Sequence, residues 1–180
     1  MISYKNLYLS QEYYLNKGFQ ILETPWFVDK HISDLTRPKD AGEFQILQNK
    51  KVLVASGEQS FLALKENLKP GLYQTITPCF RDEVETEIKK IQFMKNELII
   101  AHPKKIKNKP DLKFLVDTAM SFFMTLVDDK TELKVIQTDQ GLDILYRGIE
   151  IGSYGEREIS SFSWIYGTGL AEPRFSLIKK

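Results

Sequence analysis

One cysteine and two histidines in 180 residues leave little room for disulfide or metal-cluster chemistry. Cys79 has no second thiol to close an internal disulfide, and a zinc cluster needs more ligands than these, so the composition fits a reducing, cytoplasmic setting. Charge of one sign is also lacking: 25 Lys plus Arg stand against 24 Asp plus Glu, a net charge of +1. That balance supplies no general basic field for nucleic acid or a membrane surface, so any RNA contact has to be local. No apolar run approaches the roughly 18 residues that a membrane span requires. The opening MISYKNLYLSQEYY has neither the basic flank nor the apolar core of a signal peptide. What remains is an ordinary globular composition, 42% hydrophobic and 27% charged, at the length of one domain spanning 1–180.

Periodicity supplies the elements. A short helix is predicted over 8–17 with Ser10 as candidate N-cap, and Lys17-Gly18 stops it because glycine accepts the left-handed cap conformation. Phe19 to Leu22 reads as a strand ended by Pro25, and 33–43 as a loop. Phe44–Leu47 and Val52–Ala55 read as a hairpin around Gln48-Asn49-Lys50. Gln59–Leu68 has helical spacing, ended by Pro70-Gly71. Leu72–Phe80 and Ile91–Ile100 read as antiparallel strands. After a lysine-rich linker, Pro103–Pro110, the apolar set Leu112, Leu115, Val116, Ala119, Phe123 and Leu126 marks the clearest helix. Short strands follow at 133–137, 142–146, 149–151 and 164–166. The order predicts an α+β fold, a mainly antiparallel β-sheet flanked by helices.

Three stretches carry candidate chemistry. CFRDEVETEIKKIQFMKNEL (Cys79–Leu98) places Phe80, Arg81 and Glu83 on one strand end and Phe93 and Glu97 on the returning strand. An arginine offers a planar fork to phosphate oxygens, and an aromatic ring a flat face to a base. GTGLAEPR (Gly167–Arg174) sets an arginine seven positions after its first glycine. GFQILETP (Gly18–Pro25) is a helix stop followed by a strand. Taken singly, Arg81 with Glu83 reads as a surface ion pair, Phe93 as core, Gly167–Gly169 as a tight turn and the lysines of 104–109 as a solvated linker.

Together, and in their order along the chain, GFQILETP, CFRDEVETEIKKIQFMKNEL and GTGLAEPR resemble motifs 1, 2 and 3 of the class II aminoacyl-tRNA synthetase catalytic core. The resemblance implies that Arg81 grips the α-phosphate of ATP, Glu83 accepts from the adenine amino group and Phe93 stacks on the base. It places Glu97 near the substrate α-ammonium, Gly169 close to the nucleotide at glycines that open a helix, and Arg174 over the adenine and on the γ-phosphate. Catalysis would rest on Arg81 and Arg174. LDILYRGIEIGSYGER resembles the segment preceding motif 3 in aspartyl-, asparaginyl- and lysyl-type enzymes. There Asp143 and Glu150 would hold Mg²⁺, with Glu150 also at the ATP, and Arg157 would grip the substrate side chain. ASGEQSFL matches the amino-acid-binding segment of that subclass through Ser56 and Gln59. It departs from it by the extra Glu58 and by the lack of a following lysine, and the loop after Arg81 carries Lys89 where an arginine is usual.

The resemblance implies ATP- and Mg²⁺-dependent amino-acid activation, with aspartate or asparagine as substrate and tRNA or another acceptor downstream. It further implies a homodimer built on the Gly18–Pro25 region, no membrane partner, and a free-standing core without an anticodon-binding domain. A non-catalytic paralogue that binds nucleotide or amino acid as a regulatory or accessory subunit is the alternative.

Overall fold

A computed structural model describes residues 1–38, 41–46, 49–159 and 162–179. Leu47 and Gln48 of the expected hairpin, Lys39 and Asp40 of the expected loop, and Lys180 lie outside the described residues. The chain opens with α1 (Tyr4–Asn16), which ends at Lys17 and Gly18, the glycine at φ +90°. This helix begins earlier than the sequence suggests. Ser3 is its N-cap, accepting from the Asn6 amide at 3.2 Å, whereas Ser10 is buried within it and accepts from Asn96 Nδ2 at 2.9 Å.

Next come β1 (Gln20–Ile21), β2 (Phe27–Asp29), α2 (Lys30–Ser33), β3 (Gln45–Ile46), β4 (Lys51–Leu53) and α3 (Gly57–Leu62). The helix expected over Gln59–Leu68 is thus split: α3 starts two residues sooner, and a separate 3₁₀ turn covers Lys65–Asn67. The hairpin β5 (Gly71–Phe80) and β6 (Gln92–Ala101) is as predicted, as is α4 (Leu112–Leu126), capped by the Asp111 carboxylate on the Phe114 amide at 2.8 Å. The chain closes with β7 (Leu133–Thr138), β8 (Gly141–Tyr146), β9 (Ile149–Ile159), β10 (Phe162–Glu172) and α5 (Arg174–Lys179).

These strands form a seven-stranded sheet in the order β1-β5-β6-β10-β9-β8-β7, antiparallel throughout except for the β1–β5 edge pair. A small second sheet, β2-β4-β3, lies apart from it. Side chains alternate across a strand, and here that alternation divides the molecule. Leu98 and Ile100 of β6 join Leu115, Ala119, Phe122 and Phe175 beneath α1, α4 and α5. Ile99 and Ala101 face the other way, against Val28, Val54, Phe61 and Trp164. The opposite face of the sheet is therefore apolar at one end only. Where β6 continues back through Glu97, Lys95 and Phe93, that face is the floor of a cavity.

The strands β9 and β10 are far longer than their apolar runs suggest, because their glycines make room for tyrosine rings. A Cβ on Gly155 would sit 2.5 Å from Tyr166 Oη, and one on Gly167 would collide with the Tyr154 ring. Gly167-Thr168-Gly169 accordingly lies inside a strand and does not open a helix. Gly169 is the extra residue of a β-bulge, since Thr168 pairs with Glu97 and Leu170 with Asn96. The bulge carbonyls are satisfied by tyrosines: Tyr154 donates to Thr168 O at 2.7 Å, and Tyr14 to Gly169 O at 3.1 Å.

Candidate active site

The cavity, of about 1020 Å³, is bounded by β6, β9 and β10 below, α3 and the Arg81–Phe93 loop at its sides, and Leu35–Pro38 with Ala41 and Gly42 above. That volume suits a nucleotide together with a small second ligand. Of the residues singled out from sequence, Ser56, Gln59, Arg81, Glu83, Phe93, Glu97, Glu150, Arg157 and Arg174 all line it. Asp143 and Gly169 do not. Gly169 is turned toward α1, where a Cβ would come within 2.9 Å of the Tyr14 ring.

Arg81 leaves the end of β5 with its backbone amide on Ile91 O at 2.8 Å, which closes the hairpin stem. Its Nε donates to Ala55 O at 3.2 Å, and its guanidinium lies 5.0 Å from the centre of the Phe93 ring. The ring thus orients the arginine by cation–π contact. Glu83 follows in a tight turn, its amide on Arg81 O at 3.0 Å. Four arginines line the cavity, and three are already neutralised. Arg37 pairs with Asp34 at 2.8 Å, Arg157 with Glu58 at 3.3 Å and Arg174 with Glu150 at 3.0 Å. Among the described residues, Arg81 has no acidic partner.

Glu97 is 0% exposed. Its Oε2 takes Lys95 Nζ at 3.0 Å and the Glu58 amide at 3.3 Å, while its Oε1 has no partner among the described residues. A buried carboxylate oxygen without a donor is costly unless a ligand supplies one. Gly57 lets α3 come this close, because a Cβ there would stand 2.7 Å from Glu97 Cβ. Gln59 uses both ends of its amide: Oε1 accepts from the Ala55 amide at 2.8 Å, and Nε2 donates to Ser33 O at 3.3 Å and Ser33 Oγ at 3.2 Å. It pins the C-terminal end of α2 to α3.

Glu58, the extra residue of ASGEQSFL, is central to the site. It is 5% exposed, its Oε1 accepts from Trp164 Nε1 at 2.7 Å, and its Oε2 accepts from Arg157 Nη1. Burial pushes its carboxyl up to about 7, against the pull of Arg157. Arg157 in turn lies 4.6 Å over the Tyr166 ring. Sequence reading missed this pair because its members stand 99 residues apart. Lys95 was legible in principle, since strand alternation puts it on the face of Phe93 and Glu97.

Asp143 sits on β8 opposite Ser153 of β9. Burial raises its carboxyl above the usual range, the Ser153 hydroxyl pulls it down, and the Glu150 charge adds to the rise. Its Oδ1 is buried with no partner among the described residues. No group of three or more His, Cys, Asp or Glu among the described residues is placed to hold a metal by itself. Magnesium on a nucleotide needs only one or two protein carboxylates beside the phosphates, and of this pair Glu150 lines the cavity while Asp143 stands behind it on β8.

No protein-family model and no curated protein sequence matches the chain. Its likeness is to solved structures. Seryl-tRNA synthetase from Pyrococcus horikoshii, complexed with ATP, matches at TM-score 0.76 and 15% identity over 96% of this chain and 49% of that one. Cytoplasmic serine-tRNA ligase from Naegleria fowleri, in complex with AMP, matches at TM-score 0.74 and 18% identity over 96% and 47%. Pyrrolysyl-tRNA synthetase from Desulfitobacterium hafniense matches at TM-score 0.71 and 16% identity over 91% and 65%. The fold is that of the class II aminoacyl-tRNA synthetase catalytic core. The chain spans about half the length of the two seryl enzymes. Among the described residues no helix is long and apolar enough to cross a membrane.

Proposed function

We propose that the chain activates an amino acid with ATP, giving an aminoacyl-adenylate and pyrophosphate. The observation that carries this reading is a pairing of opposite, unfilled needs in one cavity. Among the described residues, Arg81 is a held cation with no acidic partner, and Glu97 Oε1 is a buried anion oxygen with no donor. An amino acid brings an ammonium to the second, and ATP brings phosphate oxygens to the first.

In the reaction, an oxygen of the amino acid's carboxylate attacks the α-phosphorus, and the bond from that phosphorus to the bridging oxygen breaks, releasing pyrophosphate. The attacking group is already ionised at neutral pH, so no protein base is needed. Arg81 stabilises charge on the α-phosphate, Phe93 and Glu83 bound the adenine, and Glu97 with Lys95 orients the amino acid. Arg174 reaches phosphate once it exchanges its Glu150 partner, a side chain well open to solvent. Asp143 and Glu150 would hold a magnesium ion, which when bound supplies positive charge to the phosphate oxygens. Passage of the aminoacyl group to tRNA or another acceptor follows from the same reading, as does kinship with the aspartyl, asparaginyl and lysyl subclass.

The test is ATP–pyrophosphate exchange with Mg²⁺ and each standard amino acid in turn. One amino acid should drive exchange well above background. If none does while ATP still binds, the chain is a nucleotide-binding accessory subunit instead. A homodimer is part of the proposal, supported by the apolar side chains exposed on the first segment: Tyr4, Tyr8, Leu15, Ile21, Trp26 and Phe27. Light scattering should return twice the mass of 20.9 kDa, and a monomer at working concentration removes this part of the reading.

A further inference from the structure

We propose that Glu58 makes the side-chain end of this cavity a site for an uncharged polar amino acid and bars a carboxylate side chain. The inference rests on the amino-acid activation reading and narrows its substrate. A carboxylate entering here needs the Arg157 guanidinium, and that charge is spent on Glu58 Oε2 at 3.3 Å. The remaining groups that face Glu58 do not restore it. From β6 come Glu97, which repels a second anion, and Lys95, which Glu97 holds at 3.0 Å. From β10 come Trp164, whose N–H is used on Glu58 Oε1, and the Tyr166 ring beneath Arg157. From α3 itself comes the neutral, fully used amide of Gln59.

An uncharged polar side chain meets complementary partners instead. The guanidinium has five N–H donors, and the hydrogen bond to Glu58 uses Nη1 alone. A carbonyl or hydroxyl oxygen can therefore accept from Arg157 while an N–H or O–H donates to Glu58. A carboxylate fits only if Glu58 first takes a proton, which frees Arg157. Burial places that proton within reach, with the carboxyl half protonated at about 7. Below that pH Glu58 is neutral and an acidic ligand is admitted. Above it, each pH unit lowers the admitted fraction about tenfold.

The experiment compares aspartate with asparagine, probes of one shape that differ in charge, within the full set of twenty, by ATP–pyrophosphate exchange from about pH 6.5 to about pH 8.5, a range that brackets the carboxyl. In the unmodified chain at the alkaline end an uncharged polar amino acid should drive exchange, with aspartate and glutamate at least about tenfold weaker. The acid-to-amide ratio should fall about tenfold per pH unit above about 7, a readout that needs no variant and cancels general pH effects. Glu58→Gln keeps an acceptor for Trp164. It should raise the aspartate-driven rate at the alkaline end at least about tenfold and flatten the ratio's pH dependence. Preference for aspartate or glutamate at the alkaline end, or a ratio that stays level across the range, overturns the inference and leaves activation standing. Silence from all twenty with ATP still bound overturns activation, and this inference with it.

Discussion

Replacing Arg81 with alanine should cut ATP–pyrophosphate exchange by about a hundred- to a thousandfold while leaving the domain folded. The magnitude is that of removing one preorganised donor from developing charge. The folding cost is small, because the side chain makes one hydrogen bond, to Ala55 O, and one ring contact, to Phe93, from a half-buried position. Those two interactions together are worth about 1–2 kcal/mol. Arg81→Lys should restore only part of the rate, since an ammonium keeps the charge but loses both the fork and the flat stacking face. Thermal melting beside exchange separates the two effects. Exchange within about threefold of the unmodified chain would remove Arg81 from the site.

The second large effect is expected at Glu97. Glu97→Gln should raise the KM for the amino acid at least about thirtyfold, with the KM for ATP almost unmoved. Lys95 and the Glu58 amide both occupy Oε2, which leaves Oε1 for the ammonium. Truncating one partner of a buried, hydrogen-bonded charge pair costs about 2–5 kcal/mol, and the low end of that range corresponds to about thirtyfold in affinity. The variant also leaves Lys95 facing an amide, so some loss of stability should accompany the kinetic change. Circular dichroism of the folded fraction keeps the two apart. A KM for ATP that rises as far as that for the amino acid would mean that Glu97 supports the cavity as a whole.

How much of this was legible beforehand depended on the range of the interaction. The β5–β6 hairpin announced itself by alternation, and α4 by its apolar spacing behind Pro110. Both are local patterns, and the loop end of the hairpin carried, on both its sides, motif residues that now line one cavity. The extent of β9 and β10 was hidden because glycine disfavours strands by itself. Only the rings of Tyr154 and Tyr166, packed over those glycines from the same and the neighbouring strand, justify them. The start of α1 was misplaced because Ser10 has the chemistry of a cap but is used as an acceptor for Asn96 across the core. Glu58 was visible as an irregularity in ASGEQSFL. Its meaning was not, since Trp164 and Arg157 reach it only through the folded sheet.

The single extra residue at Gly169 acts as a phase shift for everything after it. Up to Thr168, β10 sends Trp164, Tyr166 and Thr168 toward the cavity side; beyond the bulge, Leu170 faces the helices and Ala171 returns to the cavity. Without it, Leu170 would project into the ligand space and Ala171 would replace it in the core, because a slip of one residue inverts a strand. Arg174, at the first turn of α5, inherits its heading from the same count. The length of this strand is therefore as tightly constrained as its glycines: a side chain at Gly167 meets one ring, whereas a deletion of one residue turns core and cavity inside out together.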